Sequence, residues 1–199
     1  MREALGQLSA KNRREYIEEV AQRILPQTRD VSGSVSNEEN PEKSLELDLK
    51  IEAPGFAQTN GYDQLELGQI VPALGLSKLY ATLPERSGDL LLGTPLIESS
   101  EFLVHLPPGV EVKHLPQSVI LKTDFGEYQT TFEFEPGTWT LKIVRSFRIP
   151  AQIVSPERYP AFSNFALDID RAERELIQLR RSAISNRPES KAEGTAAAN

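Results

Sequence analysis

The sequence predicts a mainly β fold, an antiparallel β-sandwich with one helix at each end, and three observations carry that expectation. Leu45, Leu47, Leu49 and Ile51 alternate with Glu46, Asp48, Lys50 and Glu52, the pattern of a strand with one dry face and one wet face. From residue 101 onward, short apolar runs are separated by turns rich in Pro and Gly, which suits local hairpins. Helical spacing is confined to the two ends of the chain, so the crossovers that a parallel sheet requires are missing.

Residues 9–25 read as an amphipathic helix, capped by Ser9 and striped by Tyr16, Ile17, Val20 and Ile24, with Pro26 as its stop. Val31 and Val35 mark an extended first strand, with Gly33 leaving a gap on their face. The polar turn 38–42 precedes the alternating strand, which Ala53-Pro54-Gly55 ends. Between Tyr62 and Tyr80 the strand candidates are weaker, around Leu65–Leu67 and Leu76–Tyr80. Residues 84–89 form a loop, and Gly93 and Pro95 argue against a central strand at 90–97.

The second half is clearer. Glu101–Leu106 ends at Pro107-Pro108-Gly109, and shorter strands follow at Val110–Lys113 and Ser118–Thr123. A hairpin joins Tyr128–Glu135 to Thr138–Ile149 through Pro136-Gly137, with the glycine expected to supply the positive φ of a type II turn. Trp139, Leu141, Ile143 and Phe147 share one side of the returning strand, which assigns Trp139 to the core side or its rim. Ser155-Pro156 opens the last helical region, whose stripe is Tyr159, Phe162, Phe165, Ile169, Ala172 and Leu176. On its opposite face, Asp170/Arg174 and Arg171/Glu175 stand at ion-pair spacing. The expected organisation is a linker helix at 1–26, the sandwich at 27–154, a helix at 155–181 and a disordered tail at 182–199.

The 199 residues are 39% hydrophobic and 26% charged, ordinary for a globular domain able to bury a core. No run approaches the roughly 20 apolar residues that span a bilayer, and Met1–Gly6 lacks the plan of a secretory signal. The chain has no cysteine, which excludes thiol catalysis, disulfides and thiolate metal sites within it. A net charge of −7 argues against a surface that tracks nucleic-acid phosphates.

Reactive constellations are hard to find. Only His105 and His114 could serve a hydrolytic triad, and no Gly-x-Ser-x-Gly serine accompanies them. Two histidines make no zinc site, and Asp168 and Asp170 project about 200° apart on a helix, so with Glu173 they suit a solvated face better than calcium. No cofactor and no metal is expected. Phe56, Tyr62 and Tyr80 lie in less regular stretches and are the aromatic rings best placed for ligand contact. Arg145 breaks the pattern, because it shares the inward parity of Leu141, Ile143 and Phe147. A buried guanidinium requires a carboxylate or carbonyl partner, so Arg145 is expected to form a structural ion pair or to escape to water at an edge.

The ordered motifs have a family likeness. Val104-His105-Leu106-Pro107-Pro108-Gly109-Val110 through Leu115-Pro116 reads as strand, Leu-Pro-x-Gly, strand, Leu-Pro. Phe125-Gly126-x-Tyr128, Leu141-x-x-x-Arg145 and Tyr159-x-x-Phe162-x-x-Phe165 follow. This succession, covering most of residues 5–180, resembles the C-terminal β-rich region of bacterial transglutaminase-like proteins, in which a domain of unknown function precedes a papain-like core. The resemblance implies an extracytoplasmic (periplasmic or secreted) protein and a neighbouring catalytic domain. That family's Cys-His-Asp set has no matching positions here, so no catalytic residue is carried over. The expectation is therefore a non-catalytic accessory domain that scaffolds its enzyme or presents a surface to a protein or peptide. The alternatives are a carbohydrate-binding module with a glycan ligand and a hydrolase using His105 or His114.

Overall fold

In the computed structural model, the hairpin marked most clearly by the sequence forms the middle of the larger sheet. The structure describes residues 8–25, 28–38, 40, 42–53, 56–59, 64–67, 70 and 72–181. Pro26, Tyr62 and the tail 182–199 therefore lie outside the described residues.

The first half contains α1 (Ala10–Ile24), β1 (Asp30–Ser36), β2 (Glu46–Glu52), β3 (Ala57–Thr59), β4 (Gln64–Leu67), α2 (Leu76–Tyr80) and β5 (Leu90–Leu92). The second half contains β6 (Leu96–His105), β7 (Val110–His114), β8 (Val119–Thr123), β9 (Gly126–Glu135), β10 (Thr140–Ile149), β11 (Gln152–Val154), α3 (Tyr159–Ala172) and β12 (Ile177–Arg181). Two antiparallel four-stranded sheets result, ordered β6-β10-β9-β8 and β3-β4-β12-β7. Two ribbons, β1-β2 and β5-β11, complete a mainly β fold with flanking helices.

One face of the first sheet serves two different layers. Toward one end, Leu141 and Ile143 of β10 meet Leu65 and Leu67 of β4, Val110 of β7, and Ile177 and Leu179 of β12, so that half is sheet on sheet. Toward the other end, Tyr128, Phe147 and Ile149 meet Tyr159, Phe162, Phe165 and Ile169 of α3, so that half is helix on sheet. Phe125 adds an edge-on contact to Phe162, with ring centroids 5.5 Å apart. Both halves are read from the same alternate residues of β10, as its strict period of two requires.

The first ribbon packs differently. Ser9 Oγ accepts a hydrogen bond from Asn12 N at 3.2 Å and starts α1. Ile17 of α1 then covers Val35, with Tyr16, Val31 and Leu49 around them. The gap at Gly33 is filled by β2, since a Cβ there would run into the Asp48 carbonyl oxygen and the Leu49 side chain.

Several expectations are corrected. Residues 76–80 form the helix α2, not a strand, because a side chain from α3 caps its first turn. The helix expected to reach residue 181 ends at Ala172, and Ile177–Arg181 is a strand inserted between β4 and β7. Leu176 continues the helical spacing of α3, yet it is 42% exposed. Gly137 supplies no positive φ: the hairpin turns through Pro136–Trp139, and Trp139 itself takes φ 52°. That turn lifts Trp139 out of the core parity, leaving it 37% exposed with its ring 6.2 Å from Phe134. The stretch 90–97 splits into β5 and the start of an edge strand, which suits Gly93 and Pro95.

Leu141 is fully buried, so Leu141→Ala is expected to cost about 2–5 kcal/mol in urea denaturation. Gly126 has φ 152° beside the backbone of Arg148 and Ile149. Gly126→Ala is expected to lower the urea midpoint, with a loss of more than about 1 kcal/mol.

Candidate functional site

The polar groups buried most deeply gather where the two layers meet. Arg145 is 4% exposed and lies opposite Ser100 on β6 and Thr130 on β9, the latter also buried. This polar row separates Leu141 and Ile143 from Phe147 and Ile149. Arg145 Nη1 donates to the Pro72 carbonyl at 2.6 Å and to Glu173 Oε1 at 3.0 Å, while Nη2 donates to Glu98 Oε1 at 2.6 Å. Its guanidinium carbon also stands 5.5 Å from the centre of the Phe147 ring.

The carboxylates extend the network. Glu173 follows the last turn of α3, and its Oε2 accepts from Leu74 N at 2.7 Å. Asp170, one turn earlier, accepts from Leu76 N at 2.9 Å and Ser77 N at 3.1 Å, and from the Ser77 hydroxyl. Asp170 thus caps α2 from another helix and offsets the orphan amides of that helix's first turn. These bonds tie residues 72–77 to β10 and to the end of α3. Burial pushes the Glu173 carboxyl above its ordinary range, against the opposing pull of Leu74 N–H and Arg145. Burial likewise raises the Tyr128 phenol, which stays neutral beside this network.

Sequence reasoning placed Arg145 inward but gave Asp170 to a solvated face, which is corrected here: Asp170 is 5% exposed. The Asp170/Arg174 and Arg171/Glu175 pairs give way to an Arg171–Asp168 pair at 2.8 Å. Glu173 and Glu98 were not singled out as partners of Arg145, because 28 and 47 residues separate them from it.

The histidines lie in different sheets. His105 Nδ1 is 3.0 Å from Thr140 Oγ1, on the exposed face of β6. His114 is exposed at the end of β7, opposite Gln178. Among the described residues, no group of three or more His, Asp or Glu side chains could hold a metal ion. Phe56 packs partly buried against the sheet-on-sheet core, and Tyr80 packs against the helix-on-sheet core. These two rings therefore belong to separate layers and share no platform.

A different feature dominates the surface. β6 is the outer strand of its sheet, ten residues long, with an unbroken register to β10. Leu106 N donates to Trp139 O at 2.9 Å, which sets the phase of that ladder. Even-numbered residues of β6 therefore bond β10, and the backbone groups of Ile97, Ser99, Glu101 and Leu103 point outward. Edge strands are usually guarded by Lys, Pro, a bulge, shortness or an inward-pointing charge, and of these β6 has only the last, Glu98. Its carboxylates are already matched by β10, Glu98 to Arg145 and Glu101 to Lys142 at 2.8 Å. Ile97 and Leu103 are 65% and 56% exposed. An open cleft of about 3040 Å³ is lined by β6 and by the whole of β2, and it extends to residues of β8, β9 and β10.

Removing the guanidinium strands Glu173 in the interior, so Arg145→Leu is expected to cost about 3–5 kcal/mol at pH 7. Adding Glu173→Gln should recover part of that loss, and an Arg145→Leu protein as stable as wild type would refute the structural role. Because the Glu173 carboxyl titrates above 4.5, the folded state holds its proton more tightly than the unfolded chain does. Its contribution is full below pH 4.5 and is lost as pH rises through the folded value. Urea midpoints measured against pH should show that decline in wild type and a flatter profile in Glu173→Gln.

No curated protein matches the chain. Among solved structures, a candidate protease from Parabacteroides distasonis ATCC 8503 is similar at 18% identity and a TM-score of 0.48. The match covers 59% of this chain and 23% of that one, so the chain spans about a quarter of that protein's length. A family model matches residues 67–179, more than half of the chain, from β4 through the Arg145 network to β12. The chain therefore belongs to DUF3858, a family described as a domain of unknown function with a solved structure.

Proposed function

We propose that this chain is a non-catalytic accessory domain of an exported transglutaminase-like protein, and that it works by holding another stretch of polypeptide along β6. The open edge carries this reading. A ten-residue strand with outward amides, matched carboxylates and a cleft beside it is a template for strand addition. The interior polar groups support it as well. Arg145, Asp170 and Glu173 hold layers and loops together, so the deepest charges act as scaffold. The ordered motifs noted above, from Leu-Pro-Pro-Gly to the Tyr159 stripe, support the link to transglutaminase-like proteins.

In this role the domain would brace a neighbouring catalytic domain or present a protein substrate to it. Hydrogen exchange checks the idea directly. Amides of Ile97, Ser99, Glu101 and Leu103 should exchange freely in this chain alone. In the complete protein encoded by the same reading frame they should slow by about tenfold or more. Equal exchange in both would refute the reading.

A further inference from the structure

The chemistry of the segment taken by the β6 edge can be read from the two walls of the cleft, on the assumption that the interaction reading above holds. β2 and β6 each pair on one side only, and every residue of both strands except Leu96 lines the cleft. Two strands that each have an unpaired edge therefore line the same cleft. An extended strand is the element that satisfies an edge of this kind, since its backbone donors and acceptors match the outward groups of β6.

The side chains then select its sequence. On β6, the inward residues Phe102 and Val104 pack partly buried against the sheet-on-sheet core, with Phe56 and Leu65 in the same cluster. A strand laid beside them would set alternate side chains over that apolar rim. On β2, the exposed parity reads Glu46, Asp48, Lys50, Glu52, three acids against one base. Glu52 is drawn to Arg29 at 3.7 Å, which leaves Glu46 and Asp48 as the acidic part of that wall. The two β6 carboxylates each have a cationic partner, Glu98 in Arg145, which also serves Glu173, and Glu101 in Lys142. One wall is apolar with its carboxylates ion-paired, and the other is acidic.

We propose that the cleft between β2 and β6 binds an extended polypeptide segment in which apolar residues alternate with basic ones. The apolar set lies over Phe102 and Val104, and the basic set complements Glu46 and Asp48. The probes are three synthetic peptides, a Val-Lys repeat, a Val-Glu repeat and a Gly-Lys repeat, titrated into the whole chain by fluorescence anisotropy. The Val-Lys peptide should bind about tenfold or more tightly than either of the others. Ser99→Pro removes an outward amide while sparing the ladder to β10, so it should weaken Val-Lys binding by a similar factor at unchanged circular dichroism. Glu46→Lys with Asp48→Lys should reverse the preference between Val-Lys and Val-Glu.

A second measurement needs no variant: bound Val-Lys peptide should slow exchange at the amides of Ile97, Ser99, Glu101 and Leu103. Equal affinity for all three peptides, or no added protection along β6, would overturn the proposal. Self-association that Ser99→Pro abolishes would overturn it too, by giving the edge to a second copy. Protection of β6 in the complete protein without Val-Lys binding would overturn the proposed chemistry while leaving the interaction reading intact.

Discussion

Arg145 reaches three elements at once: the Glu98 carboxylate on β6, the Glu173 carboxylate after α3, and the Pro72 carbonyl on the link to α2. Much of the architecture depends on this contact. The inward face of β10 is covered by a sheet along one half and by a helix along the other, and the two covers have different shapes. Backbone groups drawn out of water require partners. Arg145, Glu173 and Asp170 supply them at the carbonyl of Pro72 and the amides of Leu74, Leu76 and Ser77.

The network has a cost as well as a use. Taking Arg145 and Glu173 out of water is unfavourable, and the raised titration of Glu173 expresses that strain. What the charges contribute is a fixed arrangement. They hold the first turn of α2 and the residues before it against the end of α3 and β10. An apolar seam would bury as much surface without setting that order.

Fixing the layers also determines what stays open. Once β10 and β9 occupy the centre of the first sheet, β6 becomes its border, and its far side opens on the cleft that β2 also lines. Ion pairs drawn across the sheet neutralise the carboxylates of β6. They are made to hold β6 to β10, and they also remove the charge that would repel another strand. The polar network inside and the available edge outside are therefore two results of the same packing.

The sequence by itself determined the alternation of β2, the long β9–β10 hairpin, the stripe of α3 and the inward placement of Arg145. Each of these is a periodic signal carried within about ten residues, and the side-chain period of a strand or helix is a local property. It did not determine that 76–80 would be helical or that 177–181 would be a strand. Segments of about five residues are too short to specify their own state. Asp170 decides the first from 94 residues away, and the slot between β4 and β7 decides the second. The parity of Trp139 was legible, but the turn that lifts it outward was not. The edge status of β6 was equally invisible, since alternation tells which way a side chain points and not which strand lies beside it. Neighbour choice is a property of the assembled layers, and only the tertiary structure contains it.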